Sequence, residues 1–122
     1  MVQHHEQILV VEDETDVREA LAIFFETEGY DVLQAANGEE ALALLGASPT
    51  VCLILLDLFM PVMDGWAFRR AQLADARLAA IPVIVISADR LAVEKAKDLG
   101  ARGCHLKPID FDRLRTDVDA HC

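Results

Sequence analysis

The stretch from Val51 to Gly65, VCLILLDLFMPVMDG, restricts the fold of this chain more than any other. Six apolar residues, Val51 to Leu56, stop abruptly at Asp57. Pro61 and the pair Asp64–Gly65 then break the chain before a helical pattern resumes. Such an apolar run, bounded by turn residues, reads as a strand covered on both faces, as in a parallel sheet under helices. A carboxylate at the carboxyl end of that strand stands where open α/β sheets keep their chemistry. Asp57 is therefore the candidate functional centre, provided that other strands deliver partners to it.

Strand-like and helix-like patterns alternate along the whole chain. Ile8 to Val11 is a short β-branched-rich run followed by Glu12-Asp13-Glu14, and Thr15 or Asp16 is placed to cap the next helix. Val17, Ala20, Leu21, Phe24 and Phe25 share one helical face, with Gly29 as the stop. Asp31 to Ala35 reads as an edge strand because it carries Gln34. Asn37 and Glu40 have capping-box spacing for a second helix running to Gly46. The strand 51–56 is followed by a helix from Gly65, rich in alanine and arginine. Pro82 opens the strand Val83–Ile86, which stops at Ser87. Asp89 caps a helix ending at Gly100, Gly103 to Leu106 is the last strand, and Asp110 caps a final helix. Five β–α units of about 20–25 residues imply an α/β fold, a doubly wound parallel sheet with helices on both faces. The shorter common order, 2-1-3-4-5, fits five strands and makes strands 1 and 3 neighbours at the switch point.

In that order the carboxyl ends of four strands converge. Strand 1 brings Glu12 and Asp13, strand 3 Asp57, strand 4 Ser87 and strand 5 Lys107. Three close carboxylates repel one another and raise each other's pKa, which a hard cation relieves. Few carboxylate ligands with open positions suit Mg²⁺, which prefers carboxylates plus a substrate phosphate to a full protein cage. Lys107 offers an ammonium and Ser87 a hydroxyl to phosphoryl oxygens. The chemistry that fits is phosphoryl transfer to Asp57 as nucleophile.

These pieces together, Glu12-Asp13 after ILVV, LLDLFMPVMDGW around Asp57, VIVISA ending at Ser87-Ala88, and LKP at 106–108, resemble the receiver domain of bacterial two-component response regulators. The resemblance covers about residues 7–120 of a single domain, 1–122, with no output domain in this chain. It implies the flavodoxin-like receiver fold with five helices, and Asp57 as phospho-acceptor for a sensor histidine kinase or histidine phosphotransfer protein. It implies Mg²⁺ on Asp13, Asp57 and the backbone carbonyl of Phe59, with Glu12 acting through water. Ser87 and Lys107 would contact the phosphoryl group, and the Lys107–Pro108 bond would be cis. Phosphorylation would draw Ser87 inward and repack the surface of helix 4, strand 5 and helix 5 for a downstream protein target or fused output domain. Such a domain is regulatory rather than an enzyme, although it assists its own phosphorylation and dephosphorylation. One position departs from the family: Cys104 stands where an aromatic residue is usual, three before the lysine, and its neighbour His105 points to the opposite face of the strand. A pseudo-receiver, binding partners without a phosphorylation switch, is the alternative this departure raises. A phosphatase with an aspartyl intermediate lacks a second acid after Asp57, which Leu58 and Phe59 follow.

A net charge of −10, from 11 basic and 21 acidic side chains, opposes direct nucleic-acid or anionic-membrane binding. No apolar run approaches the ~18 residues of a membrane span, and MVQHHEQ lacks a signal peptide's core, so a cytoplasmic location is expected. Cys52, Cys104 and Cys122, an odd number without a CxxC pair, read as reduced thiols rather than a redox sensor. His4 and His5 read as a solvated lead, Trp66 as packing, Asp64–Gly65 as a turn and helix start, and Asp110, Asp112, Asp117 and Asp119 as a solvated face.

Overall fold

The computed structural model describes residues 6–47 and 50–122, so His4 and His5 lie outside the described residues. Strands and helices alternate as β1 Gln7–Val11, α1 Thr15–Thr27, β2 Asp31–Ala35, α2 Gly38–Ala47, β3 Leu53–Asp57, α3 Gly65–Ala74, β4 Val83–Ser87, α4 Ala92–Asp98, β5 Gly103–Leu106 and α5 Phe111–His121. The sheet runs β2-β1-β3-β4-β5 and every pairing is parallel. This is the five-stranded, doubly wound parallel sheet with five helices expected from the sequence, with β2 at an edge. Among the described residues, no helix is long and apolar enough to cross a membrane.

Period-two alternation along the central strands divides the core between the two faces of the sheet. Leu9, Val11, Ile54, Leu56, Val83 and Val85 join a cluster with Leu45, Phe68, Ala92 and Ala96, on the side of α2, α3 and α4. Ile8, Val10, Leu53, Leu55, Ile84 and Ile86 join Leu21, Phe25, Leu114 and Val118 of α1 and α5. Because both faces of β1, β3 and β4 are covered, these strands are apolar except at Gln7, where β1 begins, and at Asp57 and Ser87, where β3 and β4 end. Each fully buried Leu or Ile contributes roughly 1.5–3 kcal/mol, and this pins the strand register that aligns the polar ends.

Several local readings shift by a residue or two. β3 begins at Leu53 rather than Val51 and includes Asp57 as its last residue. The N-cap of α1 is Glu14, without a side-chain cap hydrogen bond, instead of Thr15 or Asp16. Asn37 Oδ1 accepts from the Glu40 backbone N–H at 2.9 Å as the capping-box spacing predicts, but Glu40 reaches back to the N–H of Ala36. The Asp89 carboxylate caps the turn before α4, accepting from Leu91 N–H at 2.9 Å. That helix then stops at Asp98, and Gly100 follows at φ 69°. Asp110 caps α5 as expected, and Asp64, read with Gly65 as a turn and helix start, caps α3.

Two polar arrangements escape the sequence pattern. Arg69 and Gln72, on the alanine-rich α3, are buried. Gln72 donates to the carbonyls of Leu78 and Ile81 at 3.0 Å each and accepts from Arg69 at 2.7 Å, while Arg69 also donates to the Leu99 carbonyl. One amide thus holds the α3–β4 connection against α3. Gln72→Ala is expected to cost about 1–3 kcal/mol, because it leaves buried carbonyls and a guanidinium without a partner; urea denaturation measures it. Asp112 fits the solvated-face reading, being exposed, but two other acids of α5 have partners as well. Asp117 pairs with His105 at 2.8 Å and His121 at 3.3 Å, and Asp119 accepts from the Tyr30 hydroxyl at 2.6 Å.

The reading of all three cysteines as reduced thiols is overturned. Cys52, just before β3, and Cys122, just after α5, form a disulfide with their Cα atoms 5.2 Å apart. Their separation of 70 residues hid the pairing, which only the return of α5 to the foot of β3 brings about. Cys104 is the free cysteine, and burial raises its thiol pKa, which disfavours the reactive thiolate.

Candidate functional site

The carboxyl ends of β1, β3, β4 and β5 lie side by side because the register pairs Val11 with Leu56, Asp57 with Ile86 and Ser87 with Leu106. Glu12 is wholly buried, Asp57 is 4% exposed and Ser87 is buried, whereas Asp13 is exposed at the rim. One carboxylate oxygen from each of Glu12, Asp13 and Asp57 lies within 4.8 Å of the others. Lys107 reaches this group from β5. Its ammonium stands 2.5 Å from Glu12 Oε1, 3.1 Å from Glu14 Oε1 and 3.4 Å from Asp57 Oδ2. Glu12, Asp13, Asp57 and Lys107 are therefore brought together, with Ser87 at the end of the neighbouring strand, and the Lys107–Pro108 bond is cis. Glu14 was not singled out as a site residue, although the acidic run Glu12-Asp13-Glu14 carried the signal.

The loop after β3 is fixed from beneath by Gly65. A Cβ there would come within 2.7 Å of the Asp57 carbonyl oxygen and of the Leu58 Cα, backbone atoms that cannot give way. The Gly65 N–H donates to the Leu58 carbonyl at 2.9 Å, which closes the loop. Within it, Phe59 N–H donates to Asp57 Oδ1 at 3.2 Å. Val62 sits at φ 69°, a left-handed conformation that β-branched residues rarely adopt. Nothing in its side-chain type forecast that. On the other side, Ser87 Oγ accepts from the Asp89 N–H at 3.1 Å, and the Ser87 carbonyl accepts from the Lys107 N–H at 2.8 Å.

Electrostatics follow from this crowding. Burial pushes the Glu12 carboxyl above the usual carboxylate range. Its hydrogen bond with Asp57 and the charge of that group act in the same direction, against the pull of Lys107. Asp13 is also raised, by desolvation and then by Glu12. Burial alone would lower the Lys107 ammonium, but the Glu12 and Asp57 carboxylates outweigh it and hold Lys107 above the ordinary lysine value. The site is an excess of negative charge held together by one partly buried cation, Lys107. Three hard carboxylate oxygens so close, one at an exposed rim, form a donor set that fits a small divalent cation.

Cys104 and His105 on β5 face opposite ways. Cys104 packs against the cluster shared with α4, whereas His105 turns to Asp117 of α5.

Comparison with known proteins agrees with this geometry. The family described as response regulator receiver domain matches residues 8–119. The chain is 34% identical over 115 residues to sporulation initiation phosphotransferase F of Bacillus subtilis, covering 93% of this chain and 91% of that one. It is 33% identical to protein PilH of Pseudomonas aeruginosa, covering 93% and 95% of the two chains. Among solved structures, a response regulator receiver protein from Pseudomonas putida superposes with a TM-score of 0.88 at 32% identity, over 98% of this chain and 99% of that one. The chemotaxis response regulator CheY4 of Vibrio cholerae superposes with a TM-score of 0.87 at 26% identity, over 98% of this chain and all of that one. The chain belongs to the response regulator receiver domains, the regulatory signalling domains of two-component phosphorelays.

Proposed function

We propose that this domain accepts a phosphoryl group on Asp57 from a sensor histidine kinase or a histidine phosphotransfer protein, and that Mg²⁺ supports the transfer. The observation that carries the reading is the convergence of Glu12, Asp13 and Asp57 on a lysine from β5 whose ammonium is 3.4 Å from the acceptor carboxylate. In the transfer, a carboxylate oxygen of Asp57 attacks phosphorus, a P–O bond forms, and the bond from phosphorus to the donor breaks. Lys107, already beside Asp57, neutralises a phosphoryl oxygen. The Ser87 hydroxyl contacts another once it turns from the Asp89 amide. Asp13, Asp57 and the Phe59 carbonyl would hold the metal, with Glu12 acting through water, and the ion would supply charge neutralisation at the transferring group.

The phosphoryl group adds charge and acceptor oxygens at the junction of β3, β4 and β5. The surface of α4, β5 and α5 is the one that would change, for a downstream protein or a fused output domain. With Cys104 in β5, that change runs without an aromatic rotamer. The reading places the domain in the cytoplasm, away from membrane and nucleic acid, in keeping with its charge. There the Cys52–Cys122 disulfide would meet reducing thiols.

Incubation with Mg²⁺ and acetyl phosphate should give one phosphoryl adduct by intact mass. The adduct should be absent in EDTA and in Asp57→Ala. An adduct that persists in Asp57→Ala, or none on the unaltered chain, would defeat the proposal.

A further inference from the structure

Lys95, on α4, stands between the two loops that flank Asp57. Its ammonium is 2.9 Å from Asp89 Oδ2, 5.2 Å from the centroid of the Phe59 ring and 5.6 Å from that of Trp66. The two rings meet edge to face at 5.2 Å, with 73° between their planes. Each loop also has a foot in the site: Phe59 N–H donates to Asp57 Oδ1, and Asp89 N–H donates to Ser87 Oγ. The contacts Asp57–Phe59–Lys95–Asp89–Ser87 therefore form one continuous chain that runs from the acceptor through both loops to Ser87.

We infer that Lys95 is a positioning residue that clamps the Phe59 loop to the Asp89 loop, so that the acceptor's two walls move as one. This rests on the reading of Asp57 as phospho-acceptor. A solvated Lys–Asp pair alone would contribute little. Here the same ammonium also lies over two aromatic faces, an arrangement worth about 0.5–1 kcal/mol at exposed sites. The hydrogen bond from Lys95 holds the Asp89 carboxyl below its ordinary range, so that the carboxylate stays ionised. Phe59 is 49% exposed, and without the ammonium its ring and loop are free to part from Asp89. Water then reaches an acyl phosphate on Asp57 more easily. The clamp also links Ser87 to α4, although β5 carries Cys104.

Trp66 is the single tryptophan, so its emission reports on the clamp directly. The test compares the unaltered chain with Lys95→Met, which keeps the stem and removes the charge, and with Lys95→Arg, which keeps both the cation and its pairing. After phosphorylation by acetyl phosphate and removal of the donor, adduct decay followed by intact mass should be about two- to fivefold faster in Lys95→Met, the fold-change that the loss of one exposed cation–π contact allows. Lys95→Arg should restore the rate. The Trp66 emission change on adding beryllofluoride and Mg²⁺ should shrink in Lys95→Met and return in Lys95→Arg. An adduct on Lys95→Met that decays at the unaltered rate, with the full emission change, would overturn the clamp and leave the acceptor reading standing. Failure of the unaltered chain to form any adduct would overturn both.

Discussion

Lys107→Met is expected to lower the unfolding free energy in metal-free buffer by about 3–5 kcal/mol, the usual cost of leaving a buried charge without its counter-ion. Glu12 is wholly buried, and its carboxylate meets the Lys107 ammonium. Methionine keeps the stem and removes only the charge, so the loss reports the electrostatics of the site and not a cavity. In a domain of this size the melting midpoint should fall by more than ~10 °C. The loss should depend on pH with a defined sign. A carboxyl whose folded pKa lies above its unfolded value favours folding while protonated and opposes it as pH rises through the folded value. Burial already raises Glu12 in the unaltered protein, and Lys107 is the group that pulls it down. Without Lys107 the defect should therefore shrink as the medium is acidified toward the raised Glu12 value, and grow toward neutral pH. Lys107 itself, held above its ordinary value, contributes stability that is full below the ordinary lysine range and is lost only in strong alkali. Thermal melts in EDTA across pH measure this, and an unchanged midpoint would contradict the reading of the site as a cation-held acid cluster.

Mg²⁺ should raise the melting midpoint of the unaltered chain, because only the folded state gathers the three acids. At tenfold over its dissociation constant the ion contributes about 1.4 kcal/mol, or ~4–7 °C in a domain of this size. Asp13→Asn should abolish most of that rise. It should also raise the midpoint in EDTA, because desolvation and Glu12 hold the Asp13 carboxyl above its ordinary value and the folded state is relieved when that charge is removed. Opposite shifts of one variant in two buffers are hard to obtain from a merely structural aspartate. An undiminished Mg²⁺ response in Asp13→Asn would remove it from the metal set.

The strand order and the acid–lysine convergence were legible because they depend on short, periodic signals. Val51–Leu56 and Val83–Ile86 are apolar on both faces, and each ends on one polar residue at the same edge of the sheet. The Asp110 cap and the helix start at Asp64–Gly65 were equally readable, since a cap bonds within a few residues of itself. What could not be read are contacts closed by the finished fold. Cys52 meets Cys122 because α5 returns to the foot of β3, and Asp119 meets Tyr30 across 89 residues. Gln72 is buried in a helix whose composition resembles a solvated one. Lys95 looks like any surface lysine until Phe59, Trp66 and Asp89 close around it.

The chemistry assigned to Asp57 is tested most directly by trapping the product. Borohydride reduces an aspartyl phosphate to homoserine, so the chain is phosphorylated in Mg²⁺, reduced and digested, and its peptides are sequenced by mass. The account predicts homoserine at position 57 alone, and none when the donor or Mg²⁺ is withheld. Homoserine at another aspartate, or an intact Asp57 in a chain that carries the adduct, would contradict it.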